Sequence, residues 1–406
     1  MTMFGLDGDE VQSAMARVEP PGAAGDVAER FARAAWSGIA EPGDGTAGFL
    51  VSAVGASAAL TMLVERWSVQ RMCAELGPAG AMDDVDTQLD QAVARWLPRL
   101  DSRMTLRALS IAAACRATLL TPENQLWPER LDELGPHAPL ALWVRGRPEG
   151  MTATARSVAL VGARAATGYG EHVAIEAGSG LVGRGFAVVS GAAYGIDGMA
   201  HRAALSAEGT TVAFLAGGVD RPYPSGHSVL IDRIIESGAV ISEVPCGGAP
   251  SKWRFLQRNR LIAAVSDATV VLEAGWRSGS LNTAGHAAAL GRPLGAVPGP
   301  ITSAASAGCH RLIREYGAVC VTTVDEMAEL AGVAQPAGVV PGLGERSSDE
   351  VRVLDALSVR SARTAADVAS RSGLPVDTVH SVLGLLELDE VVAERAGGWV
   401  YVPRPG

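Results

Sequence analysis

Two short stretches carry most of the chemistry this chain has to offer. The denser is Lys252-Trp253-Arg254-Phe255-Leu256-Gln257-Arg258-Asn259-Arg260, with four cations and two aromatics in nine residues and no acid until Asp267. Cations hold phosphates, and an aromatic face stacks on any base at about 1–3 kcal/mol. That mixture fits a nucleic-acid strand better than a plain solvated basic face. The second stretch is Glu273-Ala274-Gly275-Trp276-Arg277-Ser278-Gly279-Ser280. Two serines flank a glycine at a helix start, where hydroxyls and unpaired backbone N–H groups suit one phosphate.

Three further turns have the same character. Val161-Gly162-Ala163-Arg164 leads through Ala165-Ala166-Thr167-Gly168 into a helix, with Arg164 at the ligand-facing edge. Ser190-Gly191-Ala192-Ala193-Tyr194-Gly195-Ile196-Asp197 is a small-residue loop entering a helix, and Ala216-Gly217-Gly218-Val219-Asp220 is a third glycine turn. None has the G-x-G-x-x-G spacing, and no acid follows ~20 positions after the first to hold a ribose, which disfavours a dinucleotide enzyme. Asp197 and His201 lie four apart, on one helix face. A metal would need more ligands nearby, and acid–base catalysis would need a nucleophile. Capping by Asp197 and a paired His201 is the favoured role.

These turns need strands before them and helices after them. Short apolar runs at 157–162, 186–190, 210–216, 239–242, 268–274, 293–298 and 318–322 alternate with helical text near 169–183, 195–207 and 226–237. Such alternation predicts an α/β fold, a Rossmann-like doubly wound, mostly parallel sheet whose ligands sit beyond the carboxyl ends of its strands. The expected organisation is a disordered tail over 1–26, a helical domain and Pro-rich connector over 27–134, the sheet core over 135–331, a Gly/Pro linker over 332–347, and a last unit over 348–406. Three helices and a hairpin in that last unit outline a winged helix. Its third helix has no cation except His380, which argues against strong DNA binding there.

The whole chain sets the bounds. Net charge is −10, but residues 151–330 carry 14 basic and 14 acidic groups and include Lys252, the only lysine. A polyanion is therefore expected in the middle segment. The first residues lack a basic, then apolar, leader. The longest apolar run, Val51 to Val64, falls short of the ~20 residues of a membrane span. Five cysteines without a C-x-x-C pair read as reduced thiols, giving a cytoplasmic expectation.

Seven motifs then occur in one order: Val-Gly-Ala-Arg at 161–164, Ser-Gly-Ala-Ala-Tyr-Gly-Ile-Asp-Gly-Met-Ala-His at 190–201, Tyr-Pro at 223–224, Ser-Glu at 242–243, Arg-Asn-Arg-Leu-Ile-Ala-Ala-Val-Ser at 258–266, Ser-Gly-Ser-Leu-Asn-Thr-Ala at 278–284 and Val-Pro-Gly-Pro at 297–300. That order resembles the DprA/Smf family of DNA-processing proteins, strongly over about 157–325, with a helical (SAM-like) N-terminal unit and the winged helix matching more loosely. The resemblance implies a non-enzymatic protein that binds single-stranded DNA without sequence preference, acts as a homodimer and loads the RecA recombinase during natural transformation. It implies neither cofactor nor metal.

Carried over by position, Arg164 and Lys252 contact phosphates, Phe255 stacks on a base, and Ser278, Gly279 and Ser280 cradle a phosphate. Ser190, Gly191, Gly217, Gly218 and Asn259 complete the expected DNA-binding set. Arg258 and Arg260 either contact DNA or hold the loop by ion pairs. His310, Leu312 and Ile313 fall in the expected dimerisation region. Ala192 stands where the family usually has leucine, Asn282 where it usually has an aliphatic, and the stretch Phe255-Leu256-Gln257 before Arg258 where a proline is common. The alternative, a phosphoribohydrolase-like Rossmann enzyme, lacks its catalytic glutamate after the Gly-Thr pair, since Ser280 to Thr283 occupies that place.

Overall fold

The structure, a computed structural model, describes residues 2–402 except 21, 24, 82–83, 333–346, 360 and 389–390. The chain does not begin as an unstructured tail. Strands β1 (Thr2–Met3) and β2 (Leu6–Asp7) pair antiparallel and lead into α1 (Gly8–Ala16). Asp7 caps α1, Asp9 and Glu10 occupy its first turn, and Val11 and Met15 are buried one turn apart. The acidic residues that read as disorder instead favour a helix N-terminus.

Six helices follow: α2 (Val27–Ile39), α3 (Gly45–Val54), α4 (Ala56–Val64), α5 (Val69–Glu75), α6 (Val85–Trp96) and α7 (Ser102–Ala114). Gly55, at φ +84°, breaks the apolar run into α3 and α4, which meet at 109°. The Glu29 carboxylate accepts from the Ala56 and Ser57 N–H groups at 2.7 and 2.9 Å, satisfying donors that the first turn of α4 leaves open. Trp36 and Trp96 meet edge-to-face at 5.1 Å in the core of this bundle. Among the described residues no single helix is long and apolar enough to cross a membrane.

The sheet begins before residue 135, with β3 (Thr118–Leu120), takes in β4 (Leu142–Gly146), and continues past α8 (Pro148–Thr152). There follow β5 (Ser157–Gly162), α9 (Gly168–Gly183), β6 (Ala187–Ser190), α10 (Ile196–Ser206), β7 (Thr211–Phe214), α11 (Ser228–Ser237) and β8 (Ala239–Ser242). The second half is α12 (Lys252–Val265), β9 (Ala268–Glu273), α13 (Ser280–Ala289), β10 (Leu294–Ala296), α14 (Ala307–Glu315), β11 (Val319–Cys320) and α15 (Val324–Leu330). The nine strands run in the order β11-β10-β9-β5-β6-β7-β8-β4-β3, and only β4 runs against the others, pairing antiparallel with both β8 and β3. All seven expected parallel strands form. The two strands beyond β8 were hidden because β3 is three residues long and β4 follows a proline-rich stretch.

Alternate residues of one strand serve opposite faces. Val158 and Leu160 pack with α9, α10 and α15, whereas Ala159 and Val161 pack with α12, α13 and α14. Burial on both faces explains the near-continuous apolar strand text. The N-terminal helices α1, α2 and α7 share a core with β7, β8 and α11. Residues Met1–Ala334 accordingly form one compact unit instead of separate helical and sheet domains.

The second unit, Gln335–Gly406, has α16 (Ser348–Ala356), α17 (Ala365–Ser372), α18 (Val376–Leu388) and the hairpin of β12 (Val392–Arg395) and β13 (Gly398–Tyr401), a winged helix. Its core is Val353, Val368, Val379, Leu383 and Val392. The expected linker over 332–347 lies almost wholly outside the described residues.

Candidate nucleic-acid interface

The chain passes from β5 outward through β6, β7 and β8, then returns to place β9 on the other side of β5. That reversal opens a crevice beyond the carboxyl ends of β5 and β9, where doubly wound sheets bind ligands. A cleft of about 640 Å³ lies there. Residues 161–165, Asp197, Phe255, Arg258, Asn259 and the whole turn 275–280 line it.

The first wall is the loop after β5. Glu273, buried at the end of β9, accepts from the Thr167 N–H at 2.9 Å and from its hydroxyl at 2.6 Å. Its backbone oxygen accepts from the Ala163 N–H at 2.7 Å. Thr167 in turn caps α9 through the Gly170 N–H. A side chain at Gly162 would strike Ile196 and the Glu273 carbonyl, so glycine lets β5 and β9 close here. Arg164, exposed at the tip, sits 4.9 Å from the Phe255 ring.

The basic stretch is not a loop but helix α12, capped by Ser251 through the Arg254 N–H at 3.2 Å. Helical spacing sorts its four cations. Lys252 is exposed, one turn before Phe255. Arg254 forms two 2.9 Å bonds to Glu41. Arg260 is buried and holds both oxygens of Glu243 at 2.8 Å. Arg258 is buried under the cleft and donates to the Phe214 carbonyl at 2.5 Å and to Asn259 at 3.2 Å. The open question about Arg260 is thus settled as an ion pair inside the protein. Burial lowers the Arg258 guanidinium to about 10, so it stays charged at neutral pH, and burial pushes the Asp197 carboxyl up despite Arg258.

In the third wall the Ser278 and Ser280 hydroxyls lie 2.7 Å apart at the start of α13. Asn259 lines the cleft, but its amide donates to Asn282 at 3.1 Å.

Six expected contacts do not line the cleft: Lys252 and Arg260 of α12, and Ser190, Gly191, Gly217 and Gly218. Ser190 is fully buried and donates to the Leu160 carbonyl at 2.6 Å. Gly191 lies so close to Arg258 that a Cβ would come within 2.0 Å of the guanidinium. Gly217 and Gly218 instead pack against Pro250 and Asp220. Here glycine serves close packing between loops, which looks identical in sequence to glycine at a ligand. The cleft also uses two exposed residues not singled out beforehand, Trp276 and Arg277. Their basic–aromatic pairing beside the serines was the available signal.

His201 is fully buried, shares a 2.7 Å hydrogen bond with Thr211, and is lowered by burial to about 3. It is a structural group. In the expected dimerisation region, Leu312 is buried in the core of its own chain. That placement corrects its assignment to a surface. His310 reaches the Gly299 carbonyl at 3.0 Å, and Ile313 is half-buried. Among the described residues no group of three or more His, Cys, Asp or Glu is placed to hold a metal ion.

With the geometry established, comparisons with known proteins point one way. The family described as DNA recombination-mediator protein A matches residues 118–332, and the DprA winged helix domain matches 340–398. A putative DNA processing protein DprA of Mycobacterium tuberculosis is 48% identical over 297 residues, covering 69% of this chain and 76% of that protein. Protein Smf of Escherichia coli is 34% identical over 308 residues, covering 70% and 78%. The crystal structure of DNA processing protein A from Streptococcus pneumoniae superposes with a TM-score of 0.57 at 28% identity, over 73% of this chain and 95% of that one.

Proposed function

Because the chain belongs to the DNA recombination-mediator protein A family, the DprA/Smf proteins, we propose that it is a non-enzymatic binder of single-stranded DNA. It takes the strand without sequence preference, protects it, and hands it to a RecA recombinase during DNA uptake. The observation that carries the reading is one cleft at the switch point of the sheet, rimmed by Arg164 and Arg277, with the phenyl ring of Phe255 and the Ser278–Ser280 turn in its walls. Lys252 stands one turn before Phe255 on the same helix. Among the described residues none of these three cations has a carboxylate partner within ion-pair distance. The chemistry offered is phosphate neutralisation plus stacking, which carries no base identity.

The dimer belongs to the same proposal. Its surface on α14 rests on Ile313 and His310, not on Leu312. The cytoplasm is the compartment where the DNA substrate and a recombinase would meet such a protein.

The test is a titration of labelled oligonucleotides at increasing salt. Affinity should fall with a log–log slope of roughly −0.7 per neutralised phosphate. Lys252→Ala should weaken oligo(dT), oligo(dA) and mixed sequences alike, by roughly threefold to tenfold, the scale of one charge-assisted contact. A flat salt response, or a Lys252→Ala protein with an altered base preference, would remove the proposal.

A further inference from the structure

The turn between β9 and α13 carries a feature that the reading above does not use. The Ser278 N–H donates to the Gly275 carbonyl at 3.0 Å, closing a β-turn whose two central residues are Trp276 and Arg277. Both side chains therefore leave the tip of a fixed turn, and both line the same cleft as Phe255. Trp276 is 52% exposed, whereas Trp36, Trp96, Trp127 and Trp143 are buried. It is nonetheless not left loose. The Arg311 guanidinium of α14 stands 5.0 Å from its ring, and Glu315 fixes that guanidinium through a 2.7 Å bond to its Nε. A cation over one part of an indole holds its orientation, and half of the surface stays open. Arg277 beside it is exposed and makes no hydrogen bond or ion pair among the described residues. An aromatic plane held in place next to an unpaired guanidinium is the pairing that binds a base and its phosphate.

We propose that Trp276 and Arg277 form a second nucleotide subsite, the indole stacking on one base and the guanidinium holding its phosphate, so that the cleft engages two nucleotides of a strand on two aromatic platforms. The inference rests on the single-strand reading of this cleft and adds to it a contact set by the turn, not by helix α12. Phe255 comes from α12 and Trp276 from the β9–α13 turn, so the two platforms are positioned independently.

The experiment is fluorescence anisotropy with labelled oligo(dT) on the full chain, comparing Trp276→Ala, Trp276→Phe, Arg277→Ala, Phe255→Ala and Lys252→Ala. Trp276→Ala should lose about fivefold to a hundredfold in affinity, the range one lost base stack spans. Trp276→Phe should recover most of that loss, because a phenyl face still stacks. Arg277→Ala should make the salt slope shallower by about 0.7, one phosphate. The solution mass and unfolding midpoint of Trp276→Ala should match the native chain, since the side chain is half-exposed.

If Phe255→Ala and Lys252→Ala weaken binding while Trp276→Ala does not, the second subsite falls and the single-strand reading stands. If none of the variants changes binding, both fall. A Trp276→Ala protein with an altered mass overturns the subsite as well, because the indole then serves a contact between protein chains.

Discussion

Lys252 and Arg260 stand eight positions apart on one helix and do opposite work. An exposed ammonium keeps its hydration and is free to exchange it for a phosphate. A buried guanidinium must be paired, and Glu243 meets Arg260 with two parallel bonds, the planar geometry that lysine cannot supply. His201 shows burial acting on a weaker base. In the folded chain it is lowered to about 3 from an ordinary 6.5, chiefly by burial. The unfolded chain therefore binds more protons between those values. The stability linked to His201 is complete above pH 6.5 and is lost as pH falls towards 3. The loss approaches about 1.4 kcal/mol per pH unit for one proton. Urea unfolding at pH 5.0, 5.75 and 6.5 should show this slope, and His201→Gln should flatten it. An equally steep His201→Gln protein would mean that other groups cause the acid sensitivity.

At the scale of elements, α12 converts a linear run of cations into separate assignments. Residues 252, 255 and 259 share one face, while 254 and 260 turn towards the N-terminal helices and β8. Helix α14 makes the same point. The residues His310, Leu312 and Ile313 are nearly adjacent in sequence, yet 3.6 residues per turn sends Leu312 into the core and leaves its neighbours half-buried. Leu312→Arg should therefore lower stability by several kcal/mol, since it buries an unpaired charge. Loss of soluble, cooperatively unfolding protein is the measurement. Ile313→Glu is the substitution that should halve the mass in light scattering with the fold intact. A folded Leu312→Arg protein of native stability would contradict the packing of α14.

Strand and helix text in the parallel half of the sheet was legible because periodicity and turn glycines report local backbone geometry directly. What no local pattern reports is the partner across space. Glu41 against Arg254 and Arg258 beneath Gly191 depend on contacts between residues far apart in the chain.

For the whole molecule, the cleft lies entirely within the unit Met1–Ala334, which includes the N-terminal helices. The winged-helix unit offers an α18 whose exposed side chains include Val376, Asp377, Leu385, Glu387 and Leu388, without a Lys or Arg. A chain ending at residue 334 should bind oligo(dT) within about twofold of the full chain, because phosphate contacts supply most non-specific affinity. A loss of tenfold or more would place DNA contacts in the second unit.

By itself the sequence determined the parallel α/β architecture, the order of the glycine turns, the family and the three segments that meet at the cleft. Those features follow from apolar periodicity and from backbone demands that only certain residues satisfy. The tertiary structure alone decided which cations face solvent, that the first residues fold, that the helical segment shares one body with the sheet, and that Trp276 and Arg277 border the cleft. The reason is physical. Burial and ion pairing are set by neighbours distant in sequence, and a charge's role depends on whether water or a carboxylate surrounds it.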